Sequence, residues 1–87
     1  MTWQLEFSKA AAKDVSKLAG AGLKPKAQEL LDVLRHNPWQ NPPPYEKLVG
    51  ELAGVYSRRI NRQHRLVYQV DQNNHRIDIL RLWTHYE

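Results

Sequence analysis

The chain has 87 residues, which argues for one domain spanning residues 1–87 and leaves no room for two cores. It has no cysteine, which excludes a disulfide framework and a cysteine-based zinc site. The formal net charge of +4 favours an anionic partner without choosing among RNA, DNA, an acidic protein and a membrane surface.

The N-terminal stretch lacks the basic, then apolar, then small-residue order of a signal peptide. No apolar run approaches the roughly 20 residues that span a bilayer. The expectation is a soluble, cytoplasmic protein with no membrane role.

Trp3 to Phe7 alternates apolar and polar residues and predicts a short strand. Ser8 can cap a helix running to about Leu18, with Ala11, Ala12, Val15 and Leu18 as its apolar stripe. Gly20 and Gly22 break it. A second helix starts at Lys24-Pro25, where proline suits the first turn, and buries Ala27, Leu30, Leu31 and Leu34. Pro38 ends it, and Asn37 to Pro44 reads as an extended connector. Its plain meaning is a linker, though it could also hold Tyr45 and Glu46 stiffly at the rim of a site.

The period then changes to two. Glu46 to Val49 predicts a short strand, with turns at Gly50 and Gly54. Val55 to Asn61 and His64 to Val70 predict two more strands, Asp71 to Asn74 a hairpin turn, and His75 to Trp83 the last strand. The fold class is α+β, with an N-terminal strand and a helix pair packed on an antiparallel sheet.

Beyond Lys47 the chain has no lysine and carries Arg58, Arg59, Arg62, Arg65, Arg76 and Arg81. The arginine fork matches two phosphate oxygens at once, although a solvated basic sheet face would look the same. The candidates for chemistry are Glu46, Arg59, Arg65, His85 and Tyr86. Cutting RNA by transesterification needs a base for the 2′-OH, an acid for the leaving 5′-oxygen and a cation for the phosphate. Glutamate, histidine and arginine supply these. No metal is required, no cofactor is implied, and His36, His64, His75 and His85 show no ligand spacing.

Arg65 interrupts an apolar strand, where a charge is usually paired or used. Glu46 beside Lys47 also fits an ordinary surface. Parity allows residues 59, 65, 67 and 69 to share a face, and Arg81, Trp83 and His85 to share another, so that Arg65 and His85 could meet across neighbouring strands. Trp39 and Trp83 read as core or partner-facing. Tyr56 and Tyr68 suit RNA contact or core packing equally.

The segments Tyr45-Glu46-Lys47-Leu48, Ser57-Arg58-Arg59-Ile60-Asn61, Gln63-His64-Arg65-Leu66-Val67-Tyr68 and Trp83-Thr84-His85-Tyr86 resemble the YoeB/Txe toxins of the RelE superfamily. The resemblance covers essentially the whole chain. It implies a ribosome-dependent endoribonuclease of a type II toxin–antitoxin system that cuts mRNA in the A site, beside 16S rRNA, and halts translation. It implies Glu46 as general base, Arg65 as the phosphate clamp and His85 as general acid. Arg59 and Tyr86 would contact RNA, with Lys47 as a further contact. Some relatives have a lysine where this chain has Val49. A YefM/Phd-type antitoxin with an acidic disordered segment is the implied partner. The resemblance also allows a homodimer. A ParE-like poison of DNA gyrase uses the same fold but lacks the acid–base set.

Overall fold

The computed structural model describes residues 2–47 and 54–85. Its elements in chain order are β1 (Gln4–Phe7), α1 (Lys9–Gly20), α2 (Lys24–His36), β2 (Tyr45–Lys47), β3 (Val55–Arg59), β4 (His64–Asp71) and β5 (Arg76–His85).

Ser8 starts α1 as expected. Its backbone is extended, and its Oγ accepts from the Ala11 amide at 3.0 Å, satisfying one of the first-turn donors that a helix leaves unpaired. The same hydroxyl donates to the Leu80 carbonyl at 2.8 Å, so the cap also ties α1 to β5. The helix runs to Gly20, slightly past the expected end at Leu18. Gly22, at φ +74°, turns the chain towards α2, in a conformation that costs glycine no Cβ clash. Pro25 lies in the first turn of α2, where its missing N–H costs nothing.

The sheet has the order β1-β5-β4-β3-β2. From β2 to β5 every pairing is antiparallel, as expected. At the other edge β1 joins β5 in parallel, so the whole sheet is mixed. Parallel neighbours need a long crossover, and the intervening helices and strands provide it.

The strand boundaries also move. β3 ends at Arg59 because Asn61 makes the next turn, its Oδ1 accepting from the amides of Gln63 and His64 at 2.9 and 2.7 Å. β5 begins at Arg76, since His75 sits at φ +52° and leaves the strand conformation. It continues past Trp83 to His85, because Thr84 pairs with Arg65 and His85 with His64. β2 starts one residue early, at Tyr45; the expected end at Val49 and the turn at Gly50 lie outside the described residues.

One sheet face carries the core. Ala11 and Leu18 of α1, with Ala27, Leu30, Leu31 and Leu34 of α2, pack with Leu66, Tyr68, Ile77, Ile79 and Leu82. The α2 stripe is the expected one. The α1 stripe differs: Ala12 is exposed, Val15 is only partly buried, and Asp14 is buried in the row. Tyr68 is fully buried, which makes it a core residue, whereas Tyr56 is half-buried with one side packed against the core.

Candidate active site

The connector from Asn37 to Pro44 delivers β2 to the sheet edge, and Arg58 holds it. Arg58 is 1% exposed. Its guanidinium donates to the carbonyls of Pro38 and Gln40, each at 2.9 Å, and to that of Pro43. It also lies 5.0 Å from the centre of the Tyr45 ring, a cation–π distance. The Tyr68 hydroxyl donates to the Pro38 carbonyl at 3.3 Å, and burial pushes its pKa up to about 12. Proline-rich backbone offers acceptors but few donors, so a buried guanidinium suits it. The connector is therefore a fixed support for Tyr45 and Glu46.

Glu46 pairs in register with Ser57, and Arg59 with Arg65. The turn after β3 keeps the expected parity, so Arg59 pairs with Arg65, Ser57 with Val67 and Val55 with Gln69 on one face. Pro44, Glu46, Ser57, Arg59 and Arg65 line a cleft of about 240 Å³ there. Glu46 Oε2 lies 3.1 Å from Arg65 Nη1, which also donates to Ser57 Oγ at 3.4 Å. The Arg65 side chain is only 16% exposed, whereas that of Glu46 is 65% exposed. The cation is thus seated in the sheet, and the carboxylate reaches it from solvent. Such a half-exposed pair stabilises a fold by about 1 kcal/mol at most. The pair sets a carboxylate and a guanidinium side by side at the mouth of one cleft.

Lys47 is exposed and pairs with Tyr56, which puts it at the opposite parity from Glu46, and it does not line the cleft. The backbone of β5 places Thr84 opposite Arg65 and His85 opposite His64, so His85 takes the register position of the other sheet face, and the expected meeting of Arg65 and His85 across neighbouring strands is not borne out by the register. Parity counting placed His85 with Arg81 and Trp83. The register, however, shifts twice between Tyr68 and Arg65, which breaks simple alternation along β5. Tyr86 and Val49 lie outside the described residues.

The six arginines divide into two groups. Arg58 holds the connector. Arg76 is paired with Asp71 at 3.2 Å and Asp78 at 2.9 Å, and Arg81 with Asp14 at 2.9 Å. Arg59 and Arg62 are exposed, Arg59 opposite Arg65 in the β3–β4 register and Arg62 in the turn that joins the two strands. Sequence reasoning missed the supporting roles of Arg58 and Asp14. The signals were present: a run of prolines needing donors, and a carboxylate inside an apolar stripe.

Asp14 is the more unusual of the two. Burial raises its carboxyl pKa, but the Arg81 guanidinium and the amides of Leu82 and Trp83 outweigh that and hold it below the ordinary carboxylate range. Those amides donate to Oδ2 at 3.0 and 3.1 Å. Beside it, His64 stacks on Trp83 with ring centres 3.8 Å apart. Among the described residues no group of three or more His, Cys, Asp or Glu could hold a metal ion. No described helix is long and apolar enough to cross a membrane.

The model of a YoeB-like toxin of bacterial type II toxin–antitoxin systems matches residues 7–86. The chain belongs to that family. Comparison with curated proteins gives no match. Solved structures agree with the assignment. The YoeB/ParE toxin from Agrobacterium tumefaciens superposes with a TM-score of 0.85 at 27% identity, covering 95% of this chain and 99% of that one. YoeB in the YoeB–YefM complex from Staphylococcus aureus gives 0.79 at 36% identity, covering 97% and 98%. The Staphylococcus aureus YoeB dimer gives 0.80 at 35% identity, with the same coverage. The toxin therefore has the RelE/YoeB-like α+β fold that its motifs imply.

Proposed function

We propose that the toxin is a ribosome-dependent endoribonuclease that cuts mRNA in the A site by acid–base catalysis. The observation that carries this reading is the Glu46–Arg65 pair, 3.1 Å apart in a cleft open to solvent. Glu46 takes the proton of the 2′-OH, and the 2′-oxygen attacks the adjacent phosphorus. Arg65 turns from Glu46 to the phosphate oxygens and holds the added negative charge. His85 gives a proton to the departing 5′-oxygen, leaving a 2′,3′-cyclic phosphate and a 5′-OH. Arg59, exposed at the cleft wall, binds the RNA backbone, and Tyr86 adds a contact to RNA; Lys47, at the opposite parity, stands outside this site. The reaction runs in the cytoplasm, where ribosomes are, and needs no cofactor.

A YefM/Phd-type antitoxin is the proposed partner, supported by the YoeB–YefM complex of the Staphylococcus aureus relative. A homodimer is proposed on the same footing, from the dimeric YoeB of that organism. A second reading has one observation behind it: the Agrobacterium tumefaciens relative carries the joint name YoeB/ParE. A ParE-like poison would act on DNA gyrase and would not need the Glu46–Arg65 pair.

Mapping message 5′-ends in a translating extract separates the two. New ends within codons, dependent on ribosomes and absent with His85→Gln, are the expected result. Growth arrest without new ends, unchanged by Glu46→Gln and His85→Gln, would replace the nuclease reading with the gyrase one.

A further inference from the structure

We propose that Asp14 is a positioning residue that sets where the end of β5 lies against β4, and through it where His85 stands relative to Arg65. The proposal rests on the reading of His85 as the general acid.

The end of β5 is not a regular partner of β4. Tyr68 pairs with Ile79, Val67 with Arg81 and Arg65 with Thr84. Between Ile79 and Thr84 β5 thus carries two more residues than the stretch of β4 it faces. Extra residues in a strand lose ladder partners and bend it, and their amides need other acceptors. The carboxylate of Asp14 is such an acceptor. It comes from α1, which lies against β5, and takes the amides of Leu82 and Trp83 at 3.0 and 3.1 Å. Arg81, on the same stretch, donates to both of its oxygens, at 2.9 and 3.4 Å. The irregular segment is therefore fastened to the helix layer by one buried side chain.

The cost of that fastening argues for a purpose beyond packing. Asp14 sits in a stripe where an apolar residue would do, and a buried charge is retained only with strong partners. His85 follows Trp83 by two residues along an extended strand. A slip of one residue in the irregular segment would displace the strand end by about 3.3 Å and turn alternate side chains to the other face. Misplacing a reacting group by about 1 Å can cost on the order of 100-fold in rate.

The test is single-turnover cleavage on programmed ribosomes, with Asp14→Asn introduced into the wild type and into His85→Gln. Asparagine keeps the shape and one oxygen for the two amides, but it loses the charge that strengthens those bonds and turns its Nδ2 donor towards the Arg81 guanidinium. The expected result is a fall in the cleavage rate of roughly 10- to 100-fold in the wild-type background, with ribosome affinity unchanged. In the His85→Gln background the slow residual cleavage, followed over long single-turnover times, should fall no further with Asp14→Asn, because no acid remains to be misplaced. A wild-type rate, or the same loss in both backgrounds, would overturn the proposal. Should Asp14→Asn fail to fold, Arg81→Ala carries the test, since that side chain is 45% exposed and the amide bonds to Asp14 survive its loss. A smaller loss confined to the wild-type background supports the proposal; no loss, or equal loss in both, overturns it. If His85→Gln alone leaves cleavage intact, the general-acid reading itself falls and takes the proposal with it, a failure visible without any Asp14 variant.

Discussion

Glu46 and Arg65 meet across a strand that belongs to neither: Glu46 lies on β2, Arg65 on β4, and the 3.1 Å contact passes over Ser57 of β3. In the free toxin the proposed base and the proposed phosphate clamp neutralise each other. Binding of a phosphate would draw the guanidinium away and leave the carboxylate free to take a proton. Glu46→Gln should therefore lower cleavage by roughly 10²- to 10⁴-fold. Thermal or urea unfolding should change by no more than about 1 kcal/mol, as for other exposed ion pairs. A large stability loss with modest rate loss would mean that the pair serves the fold.

Arg59 is exposed at the cleft wall, where it can meet RNA without serving the fold. Arg59→Ala should weaken ribosome binding and leave the rate at saturation nearly unchanged. Titrations at several salt concentrations should show the slope of log affinity against log salt falling by about one. An unchanged slope would place Arg59 off the RNA.

Arg58 should matter for stability before it matters for chemistry. Replacing it with methionine leaves the carbonyls of Gln40 and Pro43 without this donor and that of Pro38 with the Tyr68 hydroxyl alone. A buried polar group left unsatisfied costs about 1–3 kcal/mol, so the variant should lose roughly 3 kcal/mol or more in urea unfolding. Restoration of stability by Arg58→Lys should be incomplete, because an ammonium cannot span three carbonyls as a planar fork does.

The toxin should lose stability at both ends of the pH scale through two buried groups. The folded pKa of Asp14 is lowered, so its contribution is present above the unfolded carboxylate value and lost as pH falls through the folded one. Acid unfolding below about pH 4 should therefore be flatter in Asp14→Asn than in the wild type.

The folded pKa of Tyr68 is raised to about 12, so its contribution is complete below the unfolded value near 10 and is lost as pH rises towards 12. Tyr68→Phe should remove this alkaline slope, at a cost of about 1 kcal/mol at neutral pH for the lost bond to Pro38. Stability measured across these two ranges checks both signs. A Tyr68→Phe variant that retains the wild-type alkaline slope would assign that slope to other groups.

The sequence by itself determined the element order and the α2 stripe, and it allowed the face that Arg59 and Arg65 share. Each follows from a local period: about 3.6 residues for a helix, two for a strand, and a short turn that preserves parity. It also determined the family, because the motifs around Glu46, Arg65 and His85 are contiguous in the chain.

Only the tertiary structure decided the rest. The parallel pairing of β1 with β5 depends on a crossover path that no local pattern encodes. The shifted register at the end of β5 depends on a carboxylate from α1, distant in the chain. Arg58, Arg76 and Arg81 look like Arg59 and Arg65 in one dimension. Their partners (backbone carbonyls for Arg58, aspartates for the other two) remove them from the basic surface. A side chain's charge is written in its residue type, but whether that charge is available to a ligand depends on which groups the fold brings within about 3 Å of it.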